Sequence, residues 1–370
     1  MKIRNIFISV IFLLWIFGLF VAMIILPDKS FSELENTMLS DMPKISVDSF
    51  FTGEFGEDFE KYLNDQFPFR EFFKRTSATY QYAIMKKEIG GVLVGEKRLY
   101  QPTRMEDRFL LEKNIKALQN IIEKFPNVYV GLIPSSGYLY RDDIPKGAPV
   151  LDEGQIIDEV YSSIDGKGCI DIYENLNTSI TPNLFYCTDH HWNSTGAYYG
   201  YTAIAKAMGI EPIELGENDR EVVTDSFYGT SYSRAPIFTI IPDEIFIYAK
   251  DLDTKVTIFD GINYKQVSIY NEDKLDKKDK YAYFLGGNQP LIILETKEVE
   301  KEKLLVIRDS FFDSVAPYLQ THFSEIHMVD VRYYRKNIME YIKENEIDKI
   351  LIMQSVDQFV NIMNIEQIIE

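Results

Sequence analysis

Short, continuous apolar runs alternate with segments of helical periodicity from Asn127 to Ser355, and this alternation constrains the fold more than any other feature. Strands of this kind are apolar on both faces, so both faces of their sheet must be covered. The pattern therefore predicts an α/β fold with a mostly parallel sheet and helices on both faces. The predicted strands are Asn127–Pro134, Cys169–Tyr173, Asn183–Cys187, Leu304–Ser310, Glu325–Asp330 and Lys349–Ser355. The predicted helices among them include Lys113–Lys124, Glu153–Ile164 and Thr195–Met208.

The stretch from about residue 211 to residue 300 interrupts this alternation. Lys255–Phe259 and Lys265–Tyr270 are punctuated by Gly and Asp, which predicts antiparallel strands, and Asn271–Lys280 is a charged loop. We interpret this stretch as an antiparallel β insertion in an α/β domain that covers residues 101–370. For residues 28–100 we predict a helical stalk and lead-in to this domain, which ends in a small hairpin.

Residues 1–27 predict a membrane anchor. Lys2 and Arg4 precede an uncharged apolar run from Ile6 to Leu26, which is long enough to cross a bilayer as a helix. Because the basic flank stays in the cytoplasm, we expect a single-pass protein whose C-terminal domain is extracytoplasmic. A cleaved signal peptide is the alternative, although residues 20–24 form a poor cleavage site.

Charge and cysteine content exclude some partners and leave others open. The net charge of −18 would repel a phosphate backbone, so nucleic acid is excluded as a partner. Cys169 and Cys187 form neither a CxxC motif nor a metal-binding spacing. A disulfide between them is open outside the cytoplasm, and Cys187 is either a catalytic thiol or a small buried side chain.

Two of the four histidines are adjacent, in the motif Asp189-His190-His191-Trp192. The motif follows a short predicted strand and precedes a helix, and ligand sites form at this edge of α/β sheets. A carboxylate two residues from an imidazole can orient the ring and stabilise its protonated form. The motif therefore predicts Asp189 and His191 as an acid–base pair, with a structural histidine pair near a helix cap as the alternative.

A base of this kind requires a nucleophile, and Ser310 is the first candidate. It follows the buried run Leu304–Ile307 at a predicted strand-to-helix turn, where the first helix amides can help to bind an oxyanion. The alternative role is that of a helix cap. Ser231, in the segment Phe227–Arg234, is a second candidate, but the segment before it is short and polar at its end.

These motifs resemble the DHHW proteins, which are similar to alginate O-acetylation proteins of the SGNH-hydrolase-like group. The resemblance is carried by the DHHW motif itself, by the N-terminal FSELEN and NDQFPFR segments, and by VIRDSFFDSVAPYL and IHMVDVRYY. It implies an SGNH-hydrolase-like fold and a catalytic set of Asp189, His191 and Ser310. The chain departs from the family pattern at Arg308, where a glycine is expected.

The resemblance also implies an extracytoplasmic O-acetyltransferase or esterase that acts on a cell-surface polysaccharide without a cofactor. A multispanning membrane acyltransferase is the partner that such systems often include. We expect Trp192 and Arg332 to contact the substrate, although Trp192 could pack in the core and Arg332 could form a surface salt bridge. A non-catalytic glycan-binding or scaffold protein is the first alternative. A metal-dependent hydrolase that uses Asp189, His190 and His191 is the second, but it lacks further ligands.

Overall fold

The computed structural model describes residues 2–176, 183–216, 219–298 and 300–369. The chain divides into two compact units. The smaller comprises Met1–Lys86 and Ser233–Thr239, and the larger comprises Lys87–Tyr232 and Ile240–Glu370. The segment from residue 87 to residue 100, predicted as part of the lead-in, belongs to the larger unit because Leu99 donates a main-chain hydrogen bond of 2.9 Å to Cys187.

The smaller unit begins with an apolar helix. Within the described residues, the span Ile3–Ile25 is the helix that is long and apolar enough to cross a membrane, and its most apolar window has no buried residues. The helices of this unit are α1 (Lys2–Ile25), α2 (Val47–Thr52), α3 (Glu54–Asp65) and α4 (Arg70–Ala83), and its antiparallel strands are β1 (Phe31–Ser32) and β2 (Thr37–Met38). Ser46 begins α2 with a capping box, and Gly53 ends it at a φ of 85°.

The larger unit contains the remaining elements. Its strands are β3 (Glu88–Ile89), β4 (Val92–Val94), β5 (Leu99–Tyr100), β6 (Val128–Ile133), β7 (Glu221–Phe227), β8 (Asp243–Ile247), β9 (Lys255–Phe259), β10 (Tyr264–Val267), β11 (Leu291–Glu295), β12 (Lys303–Arg308), β13 (Glu325–Val329) and β14 (Lys349–Ser355). Its helices are α5 (Arg108–Lys124), α6 (Ser136–Leu139), α7 (Glu153–Ser163), α8 (Ile172–Asn175), α9 (Ser194–Met208), α10 (Thr230–Arg234, which continues into the smaller unit), α11 (Ile338–Glu344) and α12 (Val356–Asn361).

The central sheet has seven strands within the described part of the chain, in the order β10-β9-β11-β13-β12-β14-β6. Strands β13, β12, β14 and β6 are parallel neighbours, whereas β11, β9 and β10 are antiparallel. The antiparallel strands predicted between residues 211 and 300 are thus present, but β9 and β10 extend the central sheet. Strands β7 and β8 form a separate antiparallel pair.

Both faces of the central sheet are covered, which confirms the predicted α/β class. Alternate residues of β12 belong to two separate hydrophobic clusters, with Leu304 and Val306 in one cluster and Leu305 and Ile307 in the other. Helix α9 packs in the first cluster, and α5, α7 and α12 pack in the second. The carboxyl ends of the parallel strands therefore meet at one edge, where Ser310 follows β12.

Two predicted strands are wrong. Cys169–Tyr173 contacts β6 through a single bridge between Cys169 and Val130, because Asp171 then caps α8 by accepting a 3.0 Å hydrogen bond from the Glu174 N–H. Asn183–Cys187 likewise contributes an isolated bridge at Phe185. An apolar run in the sequence indicates that a segment is buried, but a strand also requires a hydrogen-bonded neighbour along its length.

Candidate active site

The DHHW motif lies in a tight loop that leads into α9. The loop closes on itself through an antiparallel bridge between Phe185 and Trp192, and the Tyr186 N–H donates a 3.2 Å hydrogen bond to the His191 carbonyl. Asn193 then caps α9 by accepting hydrogen bonds from the N–H groups of Thr195 (2.9 Å) and Gly196 (3.1 Å). The motif is therefore fixed from both ends.

Two charged residues hold this loop in place, Arg98, which is buried, and Asp243, which is half-buried. The Arg98 guanidinium donates to the carbonyl oxygens of Phe185 (2.5 Å) and Tyr186 (2.6 Å). The Asp243 carboxylate accepts from the Thr188 N–H at 2.7 Å and from its hydroxyl at 2.6 Å. Because neither residue lies near the motif in sequence, sequence reasoning missed both of them.

Asp189, His191 and Ser310 form one hydrogen-bonded chain. Nδ1 of His191 lies 2.6 Å from Oδ1 of Asp189, and Nε2 of His191 lies 2.7 Å from Oγ of Ser310. The His191 main-chain N–H donates to the same Asp189 oxygen at 3.0 Å. Since the Asp189 carboxylate accepts at Nδ1, the neutral ring keeps an unprotonated Nε2 facing the serine hydroxyl. This arrangement can remove the proton from Ser310.

The Asp189 carboxylate is buried and ionised. Burial alone would raise the pKa of Asp189, but His190, His191 and the hydrogen bonds from His191 outweigh it and hold this pKa well below its ordinary value. Its second oxygen accepts from the Thr230 N–H (2.7 Å) and the Thr230 hydroxyl (3.0 Å). At Gly229, a Cβ atom would lie 2.3 Å from that oxygen, so the contact requires glycine. The glycine of the segment Phe227–Arg234 was the signal that could have identified this role.

The turn that carries Ser310 is a 3₁₀ turn rather than the predicted helix, and it is pinned by buried charges. Asp309 accepts from the Phe311 N–H (3.0 Å) and from the Ser355 N–H (2.7 Å). The Phe311 amide, expected to help to bind an oxyanion, is therefore already engaged. Arg308 is fully buried and lies 3.0 Å from Oδ1 of Asp313. The side chain that replaces the family's glycine thus points into the protein behind the turn.

Aromatic rings enclose the His191 imidazole. The Tyr281 ring stacks on it with centroids 4.0 Å apart and an angle of 9°, and the Phe311 ring lies 4.9 Å away. The Tyr281 hydroxyl donates to the Ser310 carbonyl at 3.1 Å, so one residue contacts both ends of the His191–Ser310 pair. Sequence reasoning missed Tyr281, because it lies next to the charged loop in a region without a clear strand or helix pattern.

Trp192 lies in the core, so its prediction as a substrate contact is wrong. Its side chain is completely buried, and its indole N–H donates to the Phe311 carbonyl at 2.9 Å. The ring packs against α9, where a Cβ at Gly200 would lie 2.7 Å from it. The indole thus contacts the turn that carries Ser310.

Arg332 forms the salt bridge that was its alternative role. Its guanidinium donates three hydrogen bonds to the Asp330 carboxylate, at 2.6 Å, 3.0 Å and 3.2 Å, and its side chain remains 20% exposed. A substrate contact by Arg332 stays a prediction. Ser231, the second nucleophile candidate, is fully buried and accepts a 2.8 Å hydrogen bond from Gln101. It lies on the short helix that holds Asp189.

Both cysteines are free thiols, so the structure contains no Cys169–Cys187 disulfide. Burial raises the pKa of Cys187 and raises the pKa of Cys169 to about 11, which keeps both thiols protonated at neutral pH. A protonated thiol is a poor nucleophile. Protonation of the thiol therefore favours Ser310 over Cys187 as the nucleophile.

The metal alternative rests on Asp189, His190 and His191, whose potential ligand atoms lie within 4.8 Å of one another. Both ring nitrogens of His191 and both oxygens of Asp189 already take part in hydrogen bonds within the site. A catalytic zinc needs about three protein ligands and an open position. Binding a metal here would dismantle the chain from Asp189 to Ser310, so these residues fit acid–base work better.

The chain resembles several solved structures. The structure of a DHHW family protein from Eubacterium siraeum DSM 15702 is 23% identical, covers 76% of this chain and 95% of its own, and has a TM-score of 0.66. Bacillus cereus PatB1 with a sulfonyl adduct is 20% identical over 73% of this chain and 96% of its own, with a TM-score of 0.61. The O-acetyltransferase domain of Pseudomonas putida AlgJ is 12% identical over 73% of this chain and 92% of its own, with a TM-score of 0.47. The first two likenesses show a shared fold.

Sequence comparisons give a family and one partial relative. The chain is 28% identical over 141 residues to a DNA repair/transcription protein of Saccharomyces cerevisiae, a match to 37% of this chain that spans only 11% of that protein. The family model described as DHHW protein matches residues 115–329, from α5 through the DHHW motif and Ser310 to the end of β13. Because this match covers more than half of the sequence, the chain belongs to the DHHW family.

Proposed function

We propose that this protein is an extracytoplasmic serine O-acyltransferase or esterase that acts on O-acetyl groups of a cell-surface polysaccharide. The observation that supports it is the hydrogen-bonded chain from Asp189 through His191 to the Ser310 hydroxyl, with distances of 2.6 Å and 2.7 Å. The family resemblance to alginate O-acetylation proteins supports the acyl group and the glycan.

The first half-reaction follows from the roles of these groups. Nε2 of His191 takes the proton of Ser310 as Oγ attacks the acyl carbonyl of the donor. Asp189 stabilises the imidazolium that forms, and the leaving alcohol then takes the proton from His191. The product is an ester on Ser310.

The second half-reaction reverses these proton transfers. An acceptor hydroxyl gives its proton to Nε2 of His191 and attacks the Ser310 ester, and Oγ of Ser310 leaves with the proton from His191. Water as acceptor gives an esterase, and a sugar hydroxyl gives a transferase. His191 is nearly fully buried and is enclosed by Tyr281 and Phe311, which favours a site that limits access of water.

We also propose a cellular setting for this activity. Helix α1 would anchor the protein in the cell membrane, with the larger unit outside the cytoplasm. A multispanning acyltransferase that exports acyl groups is the proposed partner.

A sulfonyl fluoride probe tests the nucleophile, since it forms a covalent adduct with an activated serine. Mass spectrometry of the purified full-length protein should find the adduct on Ser310. Ser310→Ala and His191→Ala should each lose labelling and acetyl esterase turnover by at least about 10³-fold, and the double variant should lose little more, because the pair acts as one unit.

Ser231→Ala is the matched control, because Ser231 is buried beside the site and outside the Asp189–His191–Ser310 chain. It should keep labelling within a fewfold of wild type. Labelling that survives in Ser310→Ala but is lost in Ser231→Ala would overturn the assignment. If Ser310→Ala and Ser231→Ala both keep wild-type activity in every acyl assay, the glycan-binding alternative is favoured.

A further inference from the structure

Tyr281 lies against the catalytic imidazole, although it comes from the stretch that interrupts the alternation of strands and helices. It belongs to a 3₁₀ turn, Lys280–Tyr283, which directly follows the charged loop. Its side chain is buried. The proton transfers of the proposed mechanism give this residue no role, yet its ring lies beside the one group that gains a charge during them.

The Tyr281 ring covers one face of the His191 imidazole. The two rings are nearly parallel, at 9°, with centroids 4.0 Å apart, whereas the Phe311 ring lies farther away and is tilted by 55°. The face of an aromatic ring is its electron-rich side, and it attracts a cation that lies within about 6 Å of its centroid. This attraction is stronger where water is excluded, as it is from these two buried side chains. His191 becomes a cation when it takes the Ser310 proton.

The hydroxyl of Tyr281 fixes the stacked ring to the turn that carries Ser310. Burial raises the pKa of Tyr281 well above its ordinary value, so the phenol keeps its proton and can donate it. Its oxygen lies 3.1 Å from the Ser310 carbonyl and 3.2 Å from Oγ of Ser314. The Trp192 indole N–H donates to the same Ser314 hydroxyl at 3.1 Å. The phenol is thus held at its hydroxyl end while its ring stays on His191.

We infer that Tyr281 is a positioning residue whose ring stabilises the His191 imidazolium during acyl transfer and whose hydroxyl holds that ring in place. This inference rests on the proposed function. The attraction arises as the proton moves from Oγ of Ser310 to Nε2 of His191, so it lowers the barrier to forming the Ser310 ester. A ring that only packs would stabilise the neutral and the charged imidazole alike and would leave this rate unchanged.

Tyr281→Phe and Tyr281→Leu separate the ring from the hydroxyl. The readout is the rate of sulfonyl fluoride labelling of Ser310 in the full-length protein in detergent, since labelling requires the same proton transfer to His191. Tyr281→Phe keeps the ring and should lose at most about tenfold, the effect of one hydrogen bond. Tyr281→Leu keeps an apolar side chain without an aromatic face and should lose a further factor of about ten. Thermal unfolding followed by circular dichroism checks that each variant is folded.

Fluorinated phenylalanines at position 281 give a readout that packing alone would not change. Fluorine atoms withdraw electrons from the face of the ring with little change in its size, so side chains with one, two and three fluorine atoms form a graded series. The labelling rate should fall at each step below that of Tyr281→Phe, by about tenfold over the series. The same series at position 283 is the matched control, because Tyr283 lies in the same turn and its ring stacks on Tyr270. Fluorination there should leave the rate unchanged.

The outcomes separate the two proposals. A graded fall at position 281, with none at position 283, supports the inference, and the series decides the matter even if Tyr281→Leu does not fold. An unchanged rate across the series at position 281, or equal rates for folded Tyr281→Phe and Tyr281→Leu, overturns the inference, and an adduct on Ser310 then leaves the proposed function standing. If the wild type forms no adduct on Ser310, the proposed function fails and this inference fails with it.

Discussion

At the scale of single residues, the ionised Asp189 depends on the absence of a side chain at Gly229. A Cβ there would lie 2.3 Å from both Cβ and Oδ2 of Asp189, whereas the backbone of Gly229 does not adopt a positive φ. An alanine at position 229 would therefore fit the backbone conformation but clash with the Asp189 carboxylate. A substitution at position 229 therefore tests the orientation of Asp189, with little contribution from backbone strain.

We predict that Gly229→Ala lowers the rate of sulfonyl fluoride labelling of Ser310 by at least about tenfold, because a displaced Asp189 no longer orients His191. Stopped labelling reactions analysed by mass spectrometry give this rate. Gly56→Ala is the control, since a Cβ at Gly56 on α3 meets no atom within 4 Å. Wild-type labelling in Gly229→Ala would show that the site tolerates movement of Asp189.

At the scale of elements, the segment from the end of β12 through the Ser310 turn contains two buried ionisable side chains. Arg308 and Asp313 face each other within it, and both are almost completely inaccessible. Burial raises the pKa of Asp313 to about 7 against the opposing effect of Arg308. The folded protein therefore holds a proton on Asp313 at pH values where the unfolded chain has lost it.

This raised pKa has a definite consequence for stability. Below about pH 4 the carboxyl is protonated in both states, and its contribution to stability is fully present. As the pH rises towards 7, the unfolded state loses the proton first, so the free energy of unfolding falls. We predict that Asp313→Asn, which cannot ionise, removes this part of the decline, on the order of a few kcal/mol.

Urea denaturation of wild type and Asp313→Asn between pH 4 and pH 8 measures this difference. Asp253→Asn is the control, because Asp253 is exposed and its hydrogen bond with Lys297 lowers its pKa. Asp253→Asn should therefore keep the wild-type decline in the free energy of unfolding towards neutral pH. Parallel pH profiles for wild type and Asp313→Asn would contradict the prediction.

At the scale of the whole molecule, an apolar helix precedes a strongly acidic chain. The helix spans Ile3–Ile25, and the net charge of the sequence is −18. We predict that the full-length protein sediments with membranes and resists extraction by alkaline carbonate, with residues beyond Pro27 accessible to protease from outside. N-terminal sequencing of the membrane fraction provides the check. A soluble form that begins after residue 22 would show instead that the helix is a cleaved signal.

Local patterns in the sequence were sufficient for the features that depend on neighbouring residues. The strand Leu304–Ile307, the helix Thr195–Met208 and the apolar run Ile6–Leu26 are visible as periodicity, since burial on one or both faces dictates which residue types recur. The DHHW motif and Ser310 could be recognised for the same reason, because each combines reactive side chains with the end of an element.

Tertiary structure decided what depends on residues far apart in the chain. Thr230 reaches Asp189 across 41 positions and His191 reaches Ser310 across 119, and no local pattern encodes such contacts. Packing likewise put Trp192 in the core. Short apolar runs such as Cys169–Tyr173 look like strands by themselves, but a strand forms only where a neighbouring strand supplies hydrogen bonds along its length. The sequence thus determined the elements and the reactive groups, and the packing of distant segments determined their contacts.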